Sequence, residues 1–97
     1  MTALASKNIP DSSIQIHTLQ QRGSRIYFIE SRDGLILVDA GWPGCEKAIV
    51  NAMHKIGRLD LRLIFLTHSH IDHFGSAAAV QRLTRAPIAI HKADAAA

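Results

Sequence analysis

The apolar segment 61–66 (Leu-Arg-Leu-Ile-Phe-Leu) runs directly into Thr67-His68-Ser69-His70-Ile71-Asp72-His73-Phe74-Gly75. The segment has the length and composition of a buried strand. The stretch after it packs three histidines and one aspartate into residues 68–73. Imidazole and carboxylate are the groups that hold zinc and related divalent ions. On an extended backbone, residues two apart project to the same side. His68 and His70 can therefore grip one ion, and Asp72 continues that side. His73 falls where the chain bends toward a helix, so it can be aimed at a second ion nearby. The first turn of that helix offers free N–H groups and a positive dipole end, which favour an anion. Gly75 permits close backbone approach at the bend.

The rest of the chain supplies a scaffold for such a strand end. Ile14, Ile16 and Thr18 alternate with Gln15, His17 and Leu19, the pattern of a strand. Gln21-Arg22-Gly23-Ser24 reads as a turn, and 25–30 as a second strand rich in β-branched and aromatic residues. Asp33-Gly34 signals a hairpin into the apolar strand 35–38, which has the composition of a strand buried on both faces. After Asp39-Ala40-Gly41-Trp42-Pro43-Gly44 the spacing of Ala48, Ile49, Ala52, Met53 and Ile56 predicts a helix over 44–56, ended by Gly57. A strand over 61–67, a helix over 74–84 with Ala77, Val80 and Leu83 or their neighbours inward, and a strand over 87–90 follow. The fold class is therefore α/β: an antiparallel meander followed by a βαβαβ unit with parallel pairing. Residues 1–12 read as a flexible N-terminal arm that Pro10 and Asp11 bring to an end, and 13–97 as the domain.

Composition narrows the function classes. The chain has 97 residues, an apolar fraction of 47% and a net charge of +3, as expected of one globular domain. Its basic residues are scattered, so no nucleic-acid partner is expected. A single cysteine, Cys45, excludes an intrachain disulfide and a Cys-rich zinc finger, and reads as a small apolar filler. No segment approaches the length of a membrane span, and the N-terminal residues lack the pattern of a secretory signal, so a cytoplasmic setting is expected. His17 and His54 read as surface histidines. His91, at the end of the last strand, is not expected to be a ligand.

The run from Thr67 to Gly75 resembles the His-x-His-x-Asp-His signature of the metallo-β-lactamase fold superfamily. Leu37-Val38-Asp39-Ala40-Gly41 resembles that family's Asp-x-Gly element at a strand end, and the hairpin from Ile26 through Gly34 resembles its lead-in. The resemblance covers residues 14–94. It implies the N-terminal half of an αββα sandwich, with the C-terminal half lying beyond this chain. It implies that His68 and His70 bind the first metal, that Asp72 and His73 bind the second, and that Asp39 orients a ligand imidazole through its other nitrogen. The metals it implies are two zinc ions, with iron or manganese as alternatives.

The activity implied is metal-dependent hydrolysis, a bridging hydroxide attacking an ester, thioester, lactone, β-lactam or phosphodiester, with Asp72 orienting it and accepting a proton. The alternatives are an inert half-domain that at most binds metal, and an iron-dependent oxidoreductase of the same fold. The family completes its site with ligands from later segments. The partners expected are a small-molecule substrate and, for the sheet face left open, a second copy or a complementing C-terminal segment.

Overall fold

The computed structural model describes residues 2–10, 13–67 and 75–90. Strands β1 (Thr2–Asn8), β2 (Gln15–Gln21), β3 (Ser24–Ser31) and β4 (Gly34–Val38) form the meander. Helix α1 (Glu46–Ile56), strand β5 (Leu61–Leu66), helix α2 (Ala77–Thr84) and strand β6 (Ile88–Ile90) complete the order. The six strands make one sheet in chain order, antiparallel from β1 to β4 and parallel from β4 to β6.

The residues expected to be a flexible arm are instead largely strand. Residues 2–8 pair one-for-one with 15–21, from Thr2 opposite Gln21 to Asn8 opposite Gln15. Their Ala-rich sequence carries little strand propensity of its own. The open edge of β2 supplies the order, and Leu4 adds packing against the core.

Turn chemistry agrees with the sequence. Arg22 and Gly23 both take positive φ, 53° and 78°, in the two-residue loop that suits the twist of a hairpin. Gly57 closes α1 in a left-handed conformation, its N–H returning to the carbonyls of Met53 and His54.

The core lies on one face of the sheet. Leu19, Ile26, Phe28, Leu35, Leu37 and Ile64 are buried there beneath Ile49, Ala52 and Met53 of α1 and Ala77 and Val80 of α2. Cys45 is buried as a filler, as expected. Of the residues named for the inward side of α2, Ala77 and Val80 are buried and Leu83 is 65% exposed, because the two-turn α2 aligns only its Ala77–Val80 side with the core. On the opposite face the register builds one row of Ile16, Ile29, Ile36 and Leu63, and a second of Thr18, Tyr27, Val38 and Phe65. These residues are only half-buried, since among the described residues no helix covers them. Strand 35–38, read as buried on both faces, is thus fully buried on one.

Candidate metal centre

The parallel strands β4 and β5 end side by side, and in α/β folds ligands gather beyond such carboxyl ends. Asp39 is the first residue past β4. It is buried and has φ of +66°, a left-handed conformation that aspartate tolerates better than most side chains. Its N–H donates to the Phe65 carbonyl at 2.8 Å, extending the β4–β5 pairing by one step. Its carboxylate accepts from the Thr67 N–H at 2.9 Å, and from the Thr67 hydroxyl at 3.0 Å and 2.8 Å. The residue immediately before His68 is therefore fixed to the end of β4.

The far side of the run is held by the same β4–α1 loop. A Cβ on Gly75 would run into the Cδ and N of Pro43 and stand 2.6 Å from the Gly41 carbonyl oxygen. Only glycine fits this backbone-on-backbone contact. Next to it, the buried Ser76 hydroxyl accepts from the Cys45 N–H at 2.7 Å and donates to the Trp42 carbonyl at 2.7 Å. Trp42 in turn donates its indole N–H to the Arg22 carbonyl at 3.2 Å, tying the loop to the β2–β3 turn. Gly41 packs closely too: a Cβ there would lie 2.9 Å from Ile26 Cδ1 and 3.2 Å from the Cys45 sulfur.

The predicted ligands His68, His70, Asp72 and His73 lie outside the described residues, as does His91. The described structure brings together the two ends of the run that contains them. Thr67 leans on Asp39, and Gly75 and Ser76 lean on residues 41–45, so the described residues that flank the run on either side are anchored to the segment after β4. Sequence reasoning singled out Asp39 and the close approach at Gly75. It assigned no part to Thr67, Ser76 or Trp42. A serine one residue ahead of a helix is the one local signal for Ser76, and it reads as an ordinary N-cap; here that hydroxyl makes no cap bond. The helix itself starts at Ala77, later than the expected residue 74, because 75 and 76 are held in this contact.

One of the two expected surface histidines is not on the surface. His17 is 4% exposed and faces the helix-covered side of the sheet. Its Nδ1 lies 2.6 Å from the Ser6 hydroxyl and its Nε2 lies 2.9 Å from Glu30 Oε1. The alternation that drew attention to Ile16 and Thr18 marks the open face, while His17 and Leu19 take the covered one. His54 is exposed, as expected.

Near the other end of the sheet, Arg58 grips both carboxylate oxygens of Asp60, at 2.9 Å and 2.6 Å. This hydrogen bonding raises the guanidinium pKa and lowers that of the Asp60 carboxyl. No helix among the described residues is long and apolar enough to cross a membrane.

Comparison with known proteins identifies the family. Residues 19–97 match the metallo-beta-lactamase superfamily. The protein YobT of Bacillus subtilis is 42% identical over 50 residues, spanning 52% of this chain and 21% of YobT. The "Probable metallo-hydrolase YflN" of the same organism is 32% identical over 84 residues, spanning 81% of this chain and 32% of YflN. The crystal structure of BJP-1, a subclass B3 metallo-beta-lactamase of Bradyrhizobium japonicum, superposes with a TM-score of 0.70 at 29% identity. That match covers 86% of this chain and 31% of BJP-1. The chain thus spans about a third or less of the length of these relatives. The six-stranded sheet and two helices among the described residues correspond to the N-terminal part of the fold, and the chain belongs to the metallo-beta-lactamase superfamily.

Proposed function

We propose that this chain carries the first half of the metal centre of a metal-dependent hydrolase. His68 and His70 hold one ion, and Asp72 and His73 hold a second. The carrying observation is that the residues flanking 68–74 are anchored on both sides. Asp39 fixes Thr67 on one side, and residues 41–45 grip Gly75 and Ser76 on the other. Anchoring both flanks of a short run lowers the conformational entropy that donors within it would lose on binding. Imidazole and carboxylate donors suit zinc, and also iron or manganese. When bound, such ions lower the pKa of water to about 7 and polarise the substrate's oxygen. The chain's own part is to orient. Asp39 fixes the residue next to His68 and would steer a ligand imidazole. Asp72 would take a proton from the attacking water.

The relative named a probable metallo-hydrolase supports hydrolysis, and the β-lactamase neighbour makes a strained amide one substrate class beside esters, thioesters, lactones and phosphodiesters. Zinc is usually held by four ligands. Two donors per ion leave each shell open, to be filled from further chain. This agrees with a chain that spans about a third of its relatives, and it favours a second reading in which residues 1–97 bind metal without turnover. The half-buried rows from Ile16 to Leu63 and from Thr18 to Phe65 take as cover that further chain or a second copy, so self-association that grows with concentration is expected by light scattering.

Metal content after zinc loading tests the proposal, with thioester and phosphodiester assays beside it. Metal bound in the wild type and lost in His68→Ala supports the centre. Turnover in residues 1–97 would overturn the half-site reading, and an equal metal content in both proteins would overturn the centre itself.

A further inference from the structure

A second polar constellation lies away from the metal run. Ser6, His17 and Glu30 stand on three adjacent strands and face the same side of the sheet. Ser6 is directly opposite His17, and Glu30 is diagonal to it, opposite Gln15. A carboxylate only accepts hydrogen bonds, so His17 Nε2 carries the proton and donates to Glu30 at 2.9 Å. In the neutral ring Nδ1 is then an acceptor, and the Ser6 hydroxyl donates to it at 2.6 Å. The other Glu30 oxygen lies 3.5 Å from Arg58, whose guanidinium also donates to the Ser31 carbonyl at 2.9 Å. The carboxylate is thus steadied from behind. This is the polarity of a serine activated by a general base that a third group orients.

Burial of a histidine calls for partners on both ring nitrogens, and a purely structural relay would satisfy that need. Three further observations go beyond it. Ser6 is exposed while His17 is buried, so the relay opens to solvent at its nucleophile end. The Ile9 N–H donates to the Ile14 carbonyl, which makes 9 and 14 a hydrogen-bonded pair. Counting along the register, Ser6 and His17 form a non-hydrogen-bonded pair, so the Ser6 N–H points out from the sheet edge, where it can meet a carbonyl oxygen. Finally, the next pair on the same face, Leu4 and Leu19, walls a groove of about 570 Å³ against α1. Ala48 and Ala52 line its apolar side, and Lys47 and Lys55 supply cationic groups. That volume lies within the range of small-molecule sites, roughly 300–1,000 Å³. Ser6 is three strands from β4, on the order of 14 Å at about 4.8 Å per strand.

We propose that Ser6 is a nucleophile activated by His17 and Glu30, acting on acyl esters whose apolar acyl chain lies in the groove and whose anionic group meets its lysines. The Ser6 oxygen bonds to the ester carbonyl carbon while its proton passes to His17 Nδ1. The C–O bond to the alcohol breaks, and the alcohol leaves with that proton. Water then cleaves the acyl-serine, giving up one proton through His17 and releasing the acid.

The test treats the 97-residue protein with an alkyl fluorophosphonate in the presence of EDTA and maps the adduct by mass spectrometry. The chelator separates this site from the metal centre, whose failure would leave the labelling unchanged. One adduct, on Ser6, is expected, absent in Ser6→Ala. General-base assistance is commonly worth about 100-fold or more, so His17→Gln is expected to slow labelling by about that factor and Glu30→Gln by about tenfold. Circular dichroism checks that each variant is folded, and Glu30→Gln serves if His17→Gln is not. No adduct, adducts spread over several serines, or an unchanged rate in a folded Glu30→Gln protein would each overturn the proposal.

Discussion

Two polar clamps hold this sheet, and they act over different spans. Asp39 reaches Thr67, at the adjoining end of a neighbouring parallel strand, and so controls the backbone that leads into the histidine run. Ser6, His17 and Glu30 form a chain across three antiparallel strands and hold the edge strand β1 to the sheet. The first belongs to a motif, with its neighbours Ala40 and Gly41 needed for the same turn. The second is assembled from residues 11 and 13 positions apart, and no motif announces it. The contrast separates a clamp that anchors the entry to the histidine run from one that secures an edge. Substitutions at the first should disturb metal binding, and substitutions at the second should disturb β1 and the chemistry of Ser6.

The largest effect is expected at Gly75→Ala. The new methyl would collide with the backbone of Pro43 and Gly41, which cannot swing away as a side chain could. Overpacking of this kind costs about 3 kcal/mol at the upper end of its usual range. A drop of that size in urea unfolding, together with loss of metal binding, is the expected outcome.

Next comes Asp39→Asn. Asparagine also tolerates positive φ and keeps one oxygen for Thr67, so the substitution isolates the carboxylate. Loss of a group that orients ligands typically weakens metal affinity about 10- to 100-fold. Zinc titration with a competing chelator should find that loss with little change in the unfolding midpoint.

Ser6→Ala should be milder. It removes one hydrogen bond to a buried imidazole, worth about 1 kcal/mol. Urea unfolding should shift by that amount, hydrogen exchange should quicken in β1, and zinc affinity should stay as it was. If Ser6→Ala weakened zinc binding as much as Asp39→Asn, the separation of the two clamps would fail.

The smallest effect concerns pH. The Asp60 carboxyl, hydrogen-bonded by Arg58, has its pKa lowered in the folded chain. A depressed acid stabilises the fold at pH above its unfolded value, 3.8, and loses that contribution as pH falls through the folded value. Both side chains are partly exposed, so the contribution is small. Thermal melts of wild type and Asp60→Asn should differ slightly at pH 6 and converge toward pH 3.

Much of the architecture was legible because it is written locally. The alternation in 14–19, the β-branched and aromatic residues of 25–30, the helical spacing in 48–56 and the turn residues Arg22-Gly23 and Gly57 each specify their own element. Strand β1 was not legible, since Ala3, Ala5 and Ser6 have little strand preference and the pairing partner supplies the order. Helical spacing named Leu83 or a neighbour for the inward side of α2, and Leu83 is exposed because spacing names a face without saying how far the neighbouring layer extends. In the candidate centre, the ligand run and Asp39 stood out by residue type. Thr67 and Ser76 did not, because their roles depend on contacts across 28 and 31 positions of chain. His17 was misread for the same reason: both of its partners lie on other strands.

The central claim is that the histidine run between the Asp39–Thr67 anchor and the Gly75–Ser76 anchor is a metal centre. Zinc titration of the 97-residue chain beside His68→Ala, His70→Ala and Asp39→Asn, with circular dichroism as a check on folding, tests it most directly. The account predicts zinc bound by the wild type, lost in both histidine variants and weakened about 10- to 100-fold in Asp39→Asn, all with the fold retained. Zinc binding that is absent from the folded wild type, or equal in wild type and both histidine variants, would contradict it.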